Sequence, residues 1–120
     1  MTALRTVRLE MARNPSHPEG SSEYGYEFVA PLKADGHIDA TAFAKDKARC
    51  KVRRFWKGEN DRSGELVRTK EKTWAFSYEP GEDDDETFFR LDRHVFKPGE
   101  YVTIKEPDGS APTFKVVSVR

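Results

Sequence analysis

One cysteine in 120 residues, Cys50, rules out two classes of stabilisation at once. A lone thiol forms no internal disulfide, and it cannot supply the set of thiolates that a cysteine-based zinc site needs. Long hydrophobic runs are missing too. The opening stretch MTALRTVRLEMAR has no apolar segment long enough for a signal peptide or a membrane span. A soluble, cytoplasmic protein without a membrane partner is therefore expected. No sign of charge dominates: 21 basic and 21 acidic residues cancel, so the field of the whole molecule selects no partner. Gly-rich phosphate loops, nucleophile elbows and HExxH zinc motifs are absent, and no internal repeat is present.

The chain that remains suits a single domain, 1–120, long enough to bury roughly two-thirds of its unfolded surface. Its 35% charged content is offset by aromatic residues that come in clusters, which is the mark of a folded chain rather than a disordered one. The balanced charge is also segregated. From Lys45 to Lys72, eleven basic residues against five acidic ones leave +6; from Glu79 to Asp92, seven acidic residues against Arg90 leave −6.

Period-two patterning dominates. Residues 4–13 alternate Val7, Leu9 and Met11 with Thr6, Arg8 and Glu10, as a half-buried strand does. NPSHPEGSSEYG, residues 14–25, reads as a long and mobile loop, since its prolines and glycines leave few amides for a ladder. Tyr24, Tyr26, Phe28, Ala30 and Leu32 then share one face of a second strand. One helix is expected at about 39–49: Asp39 is placed to cap it, and Ile38 and Phe43 to staple its first turn. Strands follow at about 51–56, 65–70, 73–78, 87–91, 93–97, 100–105 and 113–119, punctuated by Pro98-Gly99 and Asp108-Gly109. The expected fold is mostly β, a small barrel or strongly curved antiparallel sheet with one short helix packed on it.

RCKVRRFWKGE, residues 49–59, is the most site-like stretch. As a strand it sets Lys51, Arg53, Phe55 and Lys57 on one side, a basic face with one ring, which suits phosphates and a stacked base. The alternative is a solvated face, or a bulge that turns Phe55 inward. Arg54, on the apolar side with Val52 and Trp56, needs a carboxylate if buried; Glu27 and Asp92 are the candidates. GEDDDETFF, residues 81–89, lacks the oxygen spacing of a calcium loop and reads as an acidic loop, so no metal is expected. Among His17, His37 and His94, His17 is the most site-like because it sits between prolines in a long loop. Cys50 reads as a small buried residue.

RLEMARNPSHPEGSSEYGYEF and FKPGEYVTIKEPDGSAPTFKVVSV together resemble a group of small bacterial proteins to which no activity is assigned. That likeness brings no cofactor and no site residue. The last stretch alone is similar to the closing hairpin of SH3-like small barrels. The resulting expectation is a binding module without catalysis or cofactor. It would hold single-stranded nucleic acid weakly through Lys51, Arg53, Phe55 and Lys57, with His17 as a second contact. The alternatives are a protein-interaction adaptor using Tyr24, Trp56 or the acidic loop, and a small enzyme built on the histidines and Cys50.

Overall fold

A computed structural model describes residues 3–69, 73–78, 89–91, 95–106 and 109–120. Within them eight strands, each antiparallel to its sequence neighbours, close into a barrel. They are β1 (Leu4–Met11), β2 (Ser21–Pro31), β3 (Lys51–Trp56), β4 (Arg62–Arg68), β5 (Trp74–Tyr78), β6 (Phe89–Leu91), β7 (Tyr101–Lys105) and β8 (Thr113–Val119). Closure comes from β1 pairing with both β2 and β8, so among the described residues each strand has a partner on both sides. Alternation decides what lies inside. Leu9 faces Tyr26, and Val7 faces Phe28, across the β1–β2 ladder, and all four are buried.

The helix α1 (Ala40–Asp46) begins where the sequence places it. The Asp39 side chain accepts a hydrogen bond from the amide of Ala42 at 3.0 Å, and Ile38 and Phe43 are both buried. A 3-10 turn, Lys47–Arg49, completes the expected span to 49. Phe43 meets the edge of Trp74 with ring centroids 4.9 Å apart, so α1 fills the end of the barrel where β2 leaves and β3 enters. A helix of seven residues holds little structure alone, and this contact is what keeps it.

Two expectations are corrected. β2 starts at Ser21, so the first loop is shorter than 14–25. That loop is also bonded: Asn14 and His17 exchange backbone hydrogen bonds at 3.0 Å, and Asn14 Oδ1 accepts from the amides of Ser16 and His17 at 2.9 Å. The Asn14 side-chain oxygen gives an acceptor to the amides that remain between the prolines. Of the strand expected at 93–97, Val95 forms one bridge, to His37, and residues 92–94 lie outside the described residues. Among the described residues no helix is long and apolar enough to cross a membrane.

Candidate functional site

Strand β3 has two sides, and both carry arginine. Its outer side holds the residues that the sequence singles out, Lys51, Arg53, Phe55 and Lys57. The cations stay at the surface, and each meets a carboxylate. Lys51 Nζ lies 3.1 Å from Glu65, and Lys57 Nζ lies 3.7 Å from Glu23. Arg53 lies 2.7 Å from Asp61 and 3.6 Å from Glu27, and the bond to Asp61 raises its already high pKa further. Phe55 is not the exposed ring that stacking requires: it is only 8% accessible. The cause is its neighbour. Phe55 pairs with Gly25, where a Cβ would meet the Phe55 ring at 2.8 Å, so the ring occupies space that only a glycine leaves free. Arg8 and Arg53 cover it, with guanidinium carbons 4.4 and 5.2 Å from its centroid.

The inner side of β3 leads to the other end of the barrel, opposite α1. Arg54 is buried there, 8% accessible, and Glu27, one of its two expected partners, is engaged elsewhere. Glu27 sits between Tyr26 and Phe28, so the pleat sends it outward to Arg8, Arg53 and Arg120. Asp92 lies outside the described residues. Arg54 instead donates from Nε to the Tyr26 hydroxyl and from Nη1 to Glu59, both at 3.4 Å, and its Nη2 lies 4.0 Å from Glu106. The Tyr26 hydroxyl donates to Glu106 at 3.3 Å. Burial, and then the Glu106 charge, keep that hydroxyl protonated well above the ordinary tyrosine range. Burial pulls the Arg54 guanidinium down, and the Tyr26 bond with the Glu106 and Glu59 charges more than offsets it.

Rings cover this polar group. The Arg54 guanidinium carbon sits 3.9 Å from the centroid of Trp56. Tyr24 packs edge-on against Trp56 at 4.9 Å, and His17 packs edge-on against Tyr24 at the same distance. All three rings are half-buried. His17 Nδ1 is buried and has no hydrogen-bond partner among the described residues, and a cleft of about 410 Å³ lined by His17 opens between Asn14 and Thr113. A concavity of about 910 Å³ lies on the outside of the sheet and includes Lys51, Arg53, Glu27 and Glu65. It is wide open, and its charges are already matched, so volume is a poor guide here.

Among the described residues, those weighed for catalysis do not converge. His17 belongs to the end opposite α1, whereas His37 lies beyond β2 on the approach to α1, bound to Asp35 at 3.1 Å. Cys50 lies on that helix side as well. Its thiol donates to the Asp46 carbonyl at 3.5 Å, and burial, then the Asp46 charge, push its pKa up, away from a reactive thiolate. His94 and residues 81–88 of the acidic segment lie outside the described residues. Among the described residues no three ligating side chains form a group able to hold a metal ion.

Glu59 and Glu106 are the site residues that sequence reasoning missed. Each stands in a connection rather than a strand, where no periodicity assigns a side chain to a face. The only available signal was the inward parity of Arg54, which demanded a carboxylate without naming it. No family model, curated protein or solved structure matches the chain.

Proposed function

We propose that the protein is a non-catalytic binding module that receives its ligand at the end of the barrel opposite α1, against His17, Tyr24 and Trp56. One observation carries this reading: half-buried Trp56 lies 3.9 Å from the guanidinium carbon of the buried Arg54, and two further half-buried rings, Tyr24 and then His17, pack edge-on in series against it. Rings offer apolar area at low entropic cost, and a fixed charge behind them orients whatever the rings hold. The opposite end offers no such combination, because α1 fills it with Phe43 and Trp74. The test is chemical-shift mapping on ¹⁵N-labelled protein with a panel of small neutral, cationic and anionic aromatic compounds. Shifts concentrated on the Trp56 indole, Tyr24 and His17 are expected. A panel that moves none of them overturns the reading.

The second reading is weak, salt-dependent association of single-stranded nucleic acid with the outer side of β3. Its support is the exposure of Lys51, Arg53 and Lys57, whose side chains stay 59%, 43% and 63% accessible despite their carboxylate partners. Their paired state and the covered Phe55 limit it to phosphate contact without stacking, hence a dissociation constant in the micromolar range or weaker, roughly that of non-specific binding. An oligothymidylate titration at two salt concentrations separates the two readings, since its shifts would fall on β3 and not on the rings.

A further inference from the structure

Strand β4 runs further than its partner on one side. Its pairing with β3 ends at Glu65 opposite Lys51, and Leu66 then donates its amide to the Cys50 carbonyl at 2.9 Å. Cys50 does not complete the ladder, because its own amide turns back to the Lys47 carbonyl at 3.0 Å. β4 continues to Arg68 with β5 on its other side, and there the amide of Thr69 donates to the Thr73 carbonyl at 2.9 Å. Alternation along the strand therefore turns the Leu66 carbonyl and the Arg68 amide away from β5, toward the helical segment. Neither has a hydrogen-bond partner among the described residues.

A cleft of about 380 Å³ lies between these two elements, with Phe43, Ala44 and Lys47 on the helical side and Leu66, Val67 and Arg68 on the strand. Lys47 and Arg68 have no ion-pair partner among the described residues. Glu65, which also lines the cleft, is matched by Lys51 at 3.1 Å. Arg68 is braced as well: its guanidinium carbon lies 4.7 Å from the centroid of buried Trp74, its cross-strand neighbour. Such stacking engages the face of the guanidinium and leaves its N–H edge for an anion.

We propose that this cleft binds the carboxyl-terminal residue of a peptide that ends in an apolar amino acid. The site is separate from the rings at the end opposite α1 and does not depend on them. Every part of such a residue has a counterpart here. The carboxylate meets Lys47, Arg68 and the Arg68 amide, the peptide N–H meets the Leu66 carbonyl, and the side chain rests against Phe43, Ala44 and Val67. A simple acyl acid would leave the Leu66 carbonyl unmet. An internal peptide segment would leave both cations unmet.

The experiment titrates ¹⁵N-labelled protein with N-acetyl-leucine, N-acetyl-leucinamide and isocaproate, the last being the leucine skeleton without its nitrogen. Shifts are expected at the Ala44, Val67 and Arg68 amides. N-acetyl-leucine should bind about ten-fold tighter than its amide, which offers the cations no charge. It should bind about five-fold tighter than isocaproate, which offers the Leu66 carbonyl no donor. Lys47→Gln should weaken acid binding about two- to five-fold and leave the amide unchanged. That change spares the fold, because the Lys47 carbonyl and not its side chain holds Cys50. Ala44→Leu places a larger helix former in the cleft and should abolish binding of both. Acid and amide of equal affinity, or unchanged acid binding in either variant, overturn the site. Isocaproate bound as tightly as N-acetyl-leucine overturns a peptide terminus as the occupant. Shifts confined to Trp56, Tyr24 and His17 overturn this cleft and leave the ring cluster as the place of binding.

Discussion

The two ends of this barrel are built from the same residue types and come out differently. Each has aromatic rings, an arginine over a tryptophan, and a histidine nearby. At the helix end, Phe43 is inserted against Trp74, and Arg68 lies outside with its guanidinium carbon 4.7 Å from the Trp74 ring. The ring is buried and the charge is outside. At the end opposite α1 the order is reversed: Trp56 is half-buried, and Arg54 lies beneath it, buried beside Tyr26. A cation on a ring's outer face packs that ring down. The same cation on its inner face holds the ring up to solvent and keeps a charge behind it. Ring content alone therefore does not separate a plug from a binding surface; the layer order does.

Removing the plug is the strongest way to break the comparison. Phe43→Ala takes away the ring that attaches α1, and a loss of about 3–5 kcal/mol is expected, the usual cost for a large core side chain. Denaturant unfolding measures it, and a loss under about 1 kcal/mol would mean that α1 does not close that end.

Phe55→Ala sharpens the contrast from the outside of the sheet. A solvated ring would be replaced at almost no cost. This one bridges Gly25 and two arginines, so about 2–3 kcal/mol is expected, near the lower limit for phenylalanine because water can reach the vacated space. A melting temperature equal to that of the wild type would contradict its burial.

The smallest effect probes the polar group itself. Tyr26→Phe removes one donor and one acceptor between Arg54 and Glu106, and costs about 1–3 kcal/mol at neutral pH. Its diagnostic is alkaline. In the folded chain Tyr26 keeps its proton above the ordinary value of 10.0, so the unfolded chain releases protons first as pH rises. A raised folded pKa contributes fully below the unfolded value and is lost as pH climbs beyond it. The wild type should thus lose stability above about pH 10, and the gap between it and Tyr26→Phe should narrow there. Parallel stability curves for the two proteins across pH 9–11 would place the Tyr26 hydroxyl in contact with water.

Much of the fold was legible in local pattern. Val7 and Leu9 against Arg8 and Glu10 identify β1, and Asp39 with Ile38 and Phe43 identifies the start of α1, because period and capping are properties of adjacent residues. Strand β3 was placed at 51–56, and the structure has it at Lys51–Trp56. Less was legible about the candidate site. Tyr24, Trp56 and His17 each stood out as sequence features, yet nothing in their spacing places them together. That needs the β2–β3 register, Tyr24 opposite Trp56, and the fold of the loop that returns His17 to Tyr24.

The sequence by itself determined the class of molecule: alternation, turn residues and one capped helix leave a small antiparallel β structure as the consistent outcome. It also determined that Arg54 points inward and requires a carboxylate. Only the tertiary structure decided which carboxylates answer, that Phe55 lies over Gly25 rather than in solvent, and which end of the barrel α1 packs against. The reason is physical. Side-chain direction follows from the local pleat, but the partner across a barrel depends on register and closure, which set distances between residues as far apart as Arg54 and Glu106.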